Sequence, residues 1–178
     1  MKLFLINLDR QPDRLQRMAA MLGEAGLSFC RISAVDRERL SEDEIRRWRT
    51  DGATSRALQP GETACFLSHR ECWRRIVDDA LPCAAILEDD LHLAPDAGSL
   101  LRDDAWVPAE ADIIKLETKL YPARVDKMPS ATIGGRTLHR LRSKHAGAGG
   151  YILTREGAEK LLRMSGTFGD PVEFLCAL

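Results

Sequence analysis

The chain has 178 residues with a net charge of −1, and 44% of its residues are hydrophobic, which suits one domain with a substantial core. The near-zero charge excludes bulk electrostatic attraction to nucleic acid, and no stretch approaches the ~20 apolar residues of a membrane span. The five cysteines include no CxxC pair, which argues against a disulfide framework and against zinc and indicates a reducing, cytoplasmic location.

The first part of the chain alternates strand and helix patterns. Residues 3–6 predict a buried strand, and apolar residues at helical spacing predict an amphipathic helix over 13–24 that ends at Gly26. A second strand is predicted over 29–35, and the capping-box pattern within 41–48 predicts a short helix.

A polar, glycine-containing loop is predicted over 50–60, followed by a strong helix over 61–79. Residues 84–87 then form an apolar run typical of a buried strand in a parallel sheet.

Another short strand is predicted over 113–116, and 121–144 shows so little periodicity that most of it is expected to be loop. Residues 149–153 again predict a strand, and Thr154 is expected to cap a final helix. This alternation predicts an α/β fold with a mainly parallel sheet in a single domain over 1–178.

Three consecutive carboxylates, Glu88, Asp89 and Asp90, follow the apolar run at 84–87. Ligands of open α/β sheets bind beyond the carboxyl ends of such strands. Three adjacent acids repel one another, and a hard divalent cation is the simplest compensation. An ordinary solvated acidic loop explains the triplet equally well.

The loop after the first strand carries Asn7, Asp9, Arg10 and Arg14. Arginines there can clamp a diphosphate, and the Asn or Asp side chains can hold a base or a ribose. The glycine-rich dinucleotide fingerprint is absent, which disfavours a Rossmann dehydrogenase. The alternative is a surface turn built from salt bridges.

Other candidate residues are more ambiguous on their own. His69 falls on the apolar face of its helix, where a core role and a site role compete. Glu117 ends a predicted strand at the same sheet edge, which suits acid–base chemistry or a bond to a sugar hydroxyl. The small residues of 145–150 allow close approach of a ligand or tight packing. Asp170 and Glu173 either face the cleft or begin a helix.

Five motifs in this order resemble glycosyltransferase family 25, the bacterial lipooligosaccharide galactosyltransferases and their relatives in collagen glycosylation. They are INLDR at 6–10, GETACFLSH at 61–69, ILEDD at 86–90, KLET at 115–118 and GGYILTR at 149–155.

The resemblance implies a nucleotide-sugar-binding fold of the GT-A type and inverting transfer from a UDP-galactose-like donor, assisted by Mn²⁺ or Mg²⁺. Asp90 is the metal ligand that it suggests, and the general base is expected among Glu117, Glu173 and Asp170. The residues expected around the nucleotide sugar are Asn7, Asp9, Arg10, Arg14, His69, Glu88, Asp89 and Gly149.

The expected acceptor is a saccharide or glycolipid of lipopolysaccharide biosynthesis. Relatives usually continue past the position of Glu173, so a truncated, catalytically weak nucleotide-sugar-binding protein is one alternative and a metal-dependent phosphate-ester hydrolase is another. The basic cluster over 136–144 is either a solvated face or a site for phosphate or for peripheral contact with the inner membrane surface. Apolar residues near the end of the chain raise the expectation of a homodimer.

Overall fold

The computed structural model describes residues 1–49, 58–117, 122–143 and 145–172. Within these ranges the chain forms seven strands and five α-helices. In chain order they are β1 (Lys2–Asn7), α1 (Pro12–Glu24), β2 (Cys30–Ser33), α2 (Glu42–Trp48), α3 (Pro60–Asp78), β3 (Cys83–Glu88), α4 (Ala97–Leu101), β4 (Ile113–Lys115), β5 (Ala131–Ile133), β6 (Arg136–Leu138), β7 (Gly150–Thr154) and α5 (Arg155–Met164).

A five-stranded sheet with the order β2-β1-β3-β7-β4 forms the centre of the fold. β1 is parallel to β2 and to β3, whereas β7 is antiparallel to both of its neighbours. The expected mainly parallel sheet is therefore confirmed, with one reversed strand. Because β7 is reversed, its first residues lie at the edge where β1, β3 and β4 end.

Both faces of the sheet are covered by helices, which is why its strands are apolar on both sides. On one face Phe4 of β1 packs beneath α3 and α5 in a cluster that includes Trp73. On the other face Leu5 packs against Met18 and Leu22 of α1. Each fully buried side chain of this size contributes about 1.5–3 kcal/mol to folding.

Local signals set the helix bounds. Gly26, with φ of +68°, follows α1 in a conformation that other residues rarely adopt. The predicted capping box at the start of α2 is confirmed by reciprocal bonds between Ser41 and Glu44. Thr154 caps α5, as expected, by accepting a hydrogen bond from the Gly157 N–H at 3.2 Å. None of the helices in the described ranges is both long enough and apolar enough to cross a bilayer.

Most of the described part of 121–144 lies outside helices and strands, as predicted, but the structure differs from the sequence-based prediction in two details. The described part of 121–144 contains the β5–β6 hairpin, whose turn uses positive φ at Gly134 and Gly135. Strands of three residues are too short to show a period, so only the glycine pair signalled this hairpin. The second strand covers Cys30–Ser33 rather than 29–35. Most of the predicted loop at 50–60 lies outside the described residues.

Candidate active site

A cleft of about 250 Å³ lies at the carboxyl edge of the sheet, where β1 and β3 end beside the first half of α3. Parallel strands end at the same edge, which brings the acidic triplet and the loop after β1 together. Seven of the residues nominated from the sequence line this cleft: Asn7, Arg10, Arg14, His69, Glu88, Asp89 and Asp90.

Asp89 is the buried member of the triplet, with 8% of its surface exposed. Its carboxylate accepts hydrogen bonds from Asn7 Nδ2 at 2.7 Å and Arg14 Nη1 at 3.2 Å. Arg17, one turn further along α1, donates to the Asp89 carbonyl at 3.0 Å. For this acid the protein itself supplies the positive charge that the sequence led us to seek in a cation.

Glu88 ends β3 with its carboxylate against polar groups of α3. His69 Nε2 lies 3.0 Å from Glu88 Oε1, and the Cys65 thiol donates to the same oxygen at 3.6 Å. On the other side of the ring, His69 Nδ1 lies 3.0 Å from the Tyr151 hydroxyl, which also accepts a hydrogen bond from Trp73 Nε1 at 2.8 Å. His69 is thus both a fully buried residue and a partner of a cleft carboxylate.

Asp90 is the exposed member of the triplet, with 56% of its side chain accessible. Its Oδ2 lies 3.6 Å from Arg14 Nη1, and an ion pair at this exposure contributes little to stability. Asp90 therefore offers the most accessible carboxylate of the three.

The remaining charged residues of the loop after β1 are held by ion pairs. Arg10 Nε lies 3.1 Å from Asp36 Oδ2, and both residues line the cleft. Arg31 donates to the Asp9 carboxylate at 2.6 Å, and this bond, with a second from a serine hydroxyl, lowers the Asp9 pKa. Asp9 is not among the residues that line the cleft, so it fixes the loop from outside.

A second cavity of about 400 Å³ lies on the side of α4 and is lined by Glu117 together with apolar residues such as Leu91 and Leu116. The Gly149 N–H donates to Glu117 Oε1 at 2.9 Å, and the Gly149 carbonyl accepts from the Glu88 N–H at 2.7 Å. A Cβ at Gly149 would lie 2.9 Å from Glu117 Oε2. The lack of a side chain at Gly149 is therefore what allows this acid to approach the strand.

Of the two other candidate bases, Asp170 and Glu173, the structure describes only Asp170. Asp170 is exposed and lines neither cavity. It follows Phe168, whose ring stacks on Phe66 of α3. Glu173 lies outside the described residues.

Several residues that build the site were not nominated from the sequence. Arg17 follows Arg14 by one helical turn, and that spacing was an available signal. Arg31 donates from Nε to Asn7 Oδ1 at 3.0 Å, a contact that depends on how β2 pairs with β1. Tyr151 is flanked in β7 by Gly150 and Ile152, and a buried tyrosine hydroxyl usually has a partner.

Comparison with known proteins gives one family. The sequence profile described as glycosyltransferase family 25 (LPS biosynthesis protein) matches residues 1–176.

The chain is 31% identical over 163 residues to the lacto-N-neotetraose biosynthesis glycosyltransferase LgtE of Neisseria meningitidis serogroup B, a match covering 85% of this chain and 56% of that protein. It is 29% identical over 161 residues to LgtB of Neisseria gonorrhoeae, with the same two shares. Procollagen galactosyltransferase 2 of Mus musculus is 34% identical over 98 residues, which cover 51% of this chain and 16% of that protein. The chain spans a little over half the length of the bacterial relatives.

Proposed function

The chain belongs to glycosyltransferase family 25, and from that premise we propose that it transfers a hexose from a nucleotide sugar to a saccharide acceptor in lipopolysaccharide or lipooligosaccharide biosynthesis. The observation that carries the proposal is the cleft at the carboxyl edge of the sheet, where arginines face the acidic end of β3. The parallel β2-β1-β3 half with acids at its edge supports a nucleotide-sugar site of the GT-A type.

The cleft suits the diphosphate of the donor. Arg10 and Arg14 line it on one side, and guanidinium groups bind phosphate oxygens through paired hydrogen bonds. Asn7 is 1% exposed and donates to both Asp89 and the Gln11 carbonyl, so it fixes the loop that carries Arg10 and leads into α1, where Arg14 lies. Binding the donor would draw the arginines away from their present carboxylate partners.

The charge balance of the cleft supports a divalent cation, Mn²⁺ or Mg²⁺. Four carboxylates line the cleft against three guanidinium groups, an excess of negative charge that opposes an incoming diphosphate. Asp90 provides an accessible carboxylate, and these ions commonly bind through one or two carboxylates and the substrate phosphates. When bound at Asp90, the ion would neutralise the charge that develops on the departing diphosphate.

We propose Glu117 as the general base and the cavity beside α4 as the acceptor site. The Gly149 N–H holds Glu117 Oε1, which leaves Oε2 to accept a proton from an acceptor hydroxyl. Direct attack of that hydroxyl on the anomeric carbon inverts its configuration. Only 19% of the Glu117 side chain is exposed, so its surroundings limit competing attack by water.

Galactose is the proposed sugar, and UDP-galactose the proposed donor. Support comes from the matched mouse protein, which is described as a procollagen galactosyltransferase. The bacterial relatives are described as lacto-N-neotetraose biosynthesis enzymes, which supports a saccharide acceptor.

We also propose peripheral contact with a membrane and a homodimer. Ion pairs within the basic cluster over 136–144 reduce the support for membrane contact. Within the described part of the basic cluster, Arg136 pairs with Asp96 and Arg142 pairs with Asp126. These partners lower the positive potential that the sequence alone indicates.

Glycosyl transfer can be tested by measuring UDP release from several UDP-sugars with and without a panel of saccharide acceptors. We expect UDP-galactose to react fastest, with acceptor-dependent release and an inverted anomeric product by NMR. Glu117→Gln should slow transfer about a hundredfold, the usual range for losing a general base. Glu110→Gln, at an exposed position outside both cavities, is the matched control. Release that is equal with and without acceptors would indicate a hydrolase instead.

A further inference from the structure

We propose that Cys65, His69 and Glu88 form a binding site for Zn²⁺, with a fourth coordination position open to the cleft. One sulfur, one imidazole nitrogen and one carboxylate oxygen from these residues lie within 4.8 Å of one another. All three residues line the cleft, so an ion among them would be reached from solvent.

The spacing of the ligand atoms suits tetrahedral zinc. Zinc bond lengths imply ligand separations of about 3.4 Å for nitrogen to oxygen and about 3.6 Å for sulfur to oxygen. The corresponding distances are 3.0 Å from His69 Nε2 to Glu88 Oε1 and 3.6 Å from Cys65 Sγ to the same oxygen. Small side-chain movements would therefore replace the two hydrogen bonds by metal bonds.

The backbone places these ligands on rigid elements. Cys65 and His69 are four residues apart on α3, so they lie on one face of the helix. Glu88 is the last residue of β3, which packs against that helix. Rigid elements hold a metal site more accurately than loops do.

The second ring nitrogen of His69, Nδ1, has the kind of oxygen partner that is common around zinc-bound histidines. Metal-bound histidines usually donate their other ring N–H to an oxygen. His69 Nδ1 lies 3.0 Å from the Tyr151 hydroxyl, and Trp73 Nε1 fixes that hydroxyl with a hydrogen bond of 2.8 Å. A proton on Nδ1 directed at Tyr151 leaves the Nε2 lone pair for the metal.

The chemistry of the ligands selects the ion. A thiolate with an imidazole favours zinc over the hard ions Mg²⁺ and Mn²⁺. The charges of a Cys65 thiolate and a Glu88 carboxylate would together balance a divalent ion. This proposal departs from the expectation drawn from cysteine spacing, because the ligands come from a helix and a strand that only the fold brings together.

Metal binding can be tested without nucleotide, so the outcome does not depend on glycosyl transfer. Reduced, tag-free protein is titrated with Co²⁺, which reports a thiolate ligand by near-ultraviolet charge-transfer absorption and four-coordination by intense visible bands. We expect about one equivalent to bind and Zn²⁺ to displace it. Tyr151→Phe keeps all three ligands but should weaken Zn²⁺ binding about tenfold, as loss of an outer-shell partner does.

Cys65→Ser should abolish the charge-transfer band, whereas Cys30→Ser, at another half-buried cysteine, should keep it. Circular dichroism of both variants checks that the fold is intact. A wild-type protein without the thiolate band, or a Cys65→Ser protein that retains it, would overturn the proposal.

Discussion

Asp89 and Asp90 are neighbours in sequence, yet asparagine should affect them differently. The two oxygens of the buried Asp89 carboxylate accept bonds from Asn7 at 2.7 Å and Arg14 at 3.2 Å. An amide offers one oxygen and turns its NH₂ group toward the other donor. Losing one buried bond to a charged group costs about 1.5–3 kcal/mol. Asp90 has 56% of its side chain exposed, and such substitutions change stability by about 0.5 kcal/mol.

Thermal unfolding followed by circular dichroism measures this contrast. For a chain of this size 1 kcal/mol shifts Tm by roughly 2–4 °C. We therefore expect Asp89→Asn to lower Tm by about 3–12 °C, and Asp90→Asn by no more than about 2 °C. In calorimetric titrations Asp90→Asn should instead lose the Mn²⁺ dependence of UDP-sugar affinity. Asp79→Asn, at the far end of α3, is the control.

An equal decrease of Tm in Asp89→Asn and Asp90→Asn would refute the assignment of a structural role to Asp89 and a ligand-binding role to Asp90. Unchanged Mn²⁺ dependence in Asp90→Asn would remove Asp90 as the metal ligand.

Three further outcomes are expected. Tyr151→Phe removes the hydroxyl that the buried nitrogens of His69 and Trp73 share, so the free energy of unfolding in urea should fall by about 2–4 kcal/mol. A fall of less than ~1 kcal/mol would contradict this hydrogen-bond network. Gly149→Ala places a Cβ 2.9 Å from Glu117 Oε2 and should displace that carboxylate, reducing transfer at least about tenfold in a UDP-release assay. Burial, together with Asp104, raises the pKa of the Cys83 thiol to about 11. Because the thiol ionises more easily in the unfolded chain, the free energy of unfolding decreases as pH rises from 9 to 11. Over this range Tm should therefore fall less steeply with pH in Cys83→Ala than in the wild-type protein, and equal slopes would contradict the raised pKa.

The elements predicted well are those with strong local signals. β1 and α1 agree with the prediction to within a residue or two, because an apolar run and a helical period mark them directly. The antiparallel direction of β7 could not be predicted from its sequence. Both of its faces are buried, so its residues form an apolar run that would look the same in a parallel strand. The β5–β6 hairpin was missed because its short strands bury few side chains.

The site shows the same division between local and long-range information. Strand-end position alone nominated Glu88, Asp89 and Asp90 for the cleft. The partners of these acids could not be predicted, because each contact depends on packing between distant segments. Tyr151 and His69 are 82 residues apart in sequence, and no local pattern indicates that they meet.

The reversed strand also has a consequence for synthesis on the ribosome. β3 lies at the centre of the sheet, but one of its two neighbours is β7, which is made only after all the other strands. From Glu88 to Thr154 the nascent chain needs roughly 3–13 s at about 5–20 residues per second. During that time the apolar edge of β3 has no strand to pair with, and β4 has no place in the sheet. The newly made N-terminal part should therefore be a chaperone client until β7 emerges and joins the two halves.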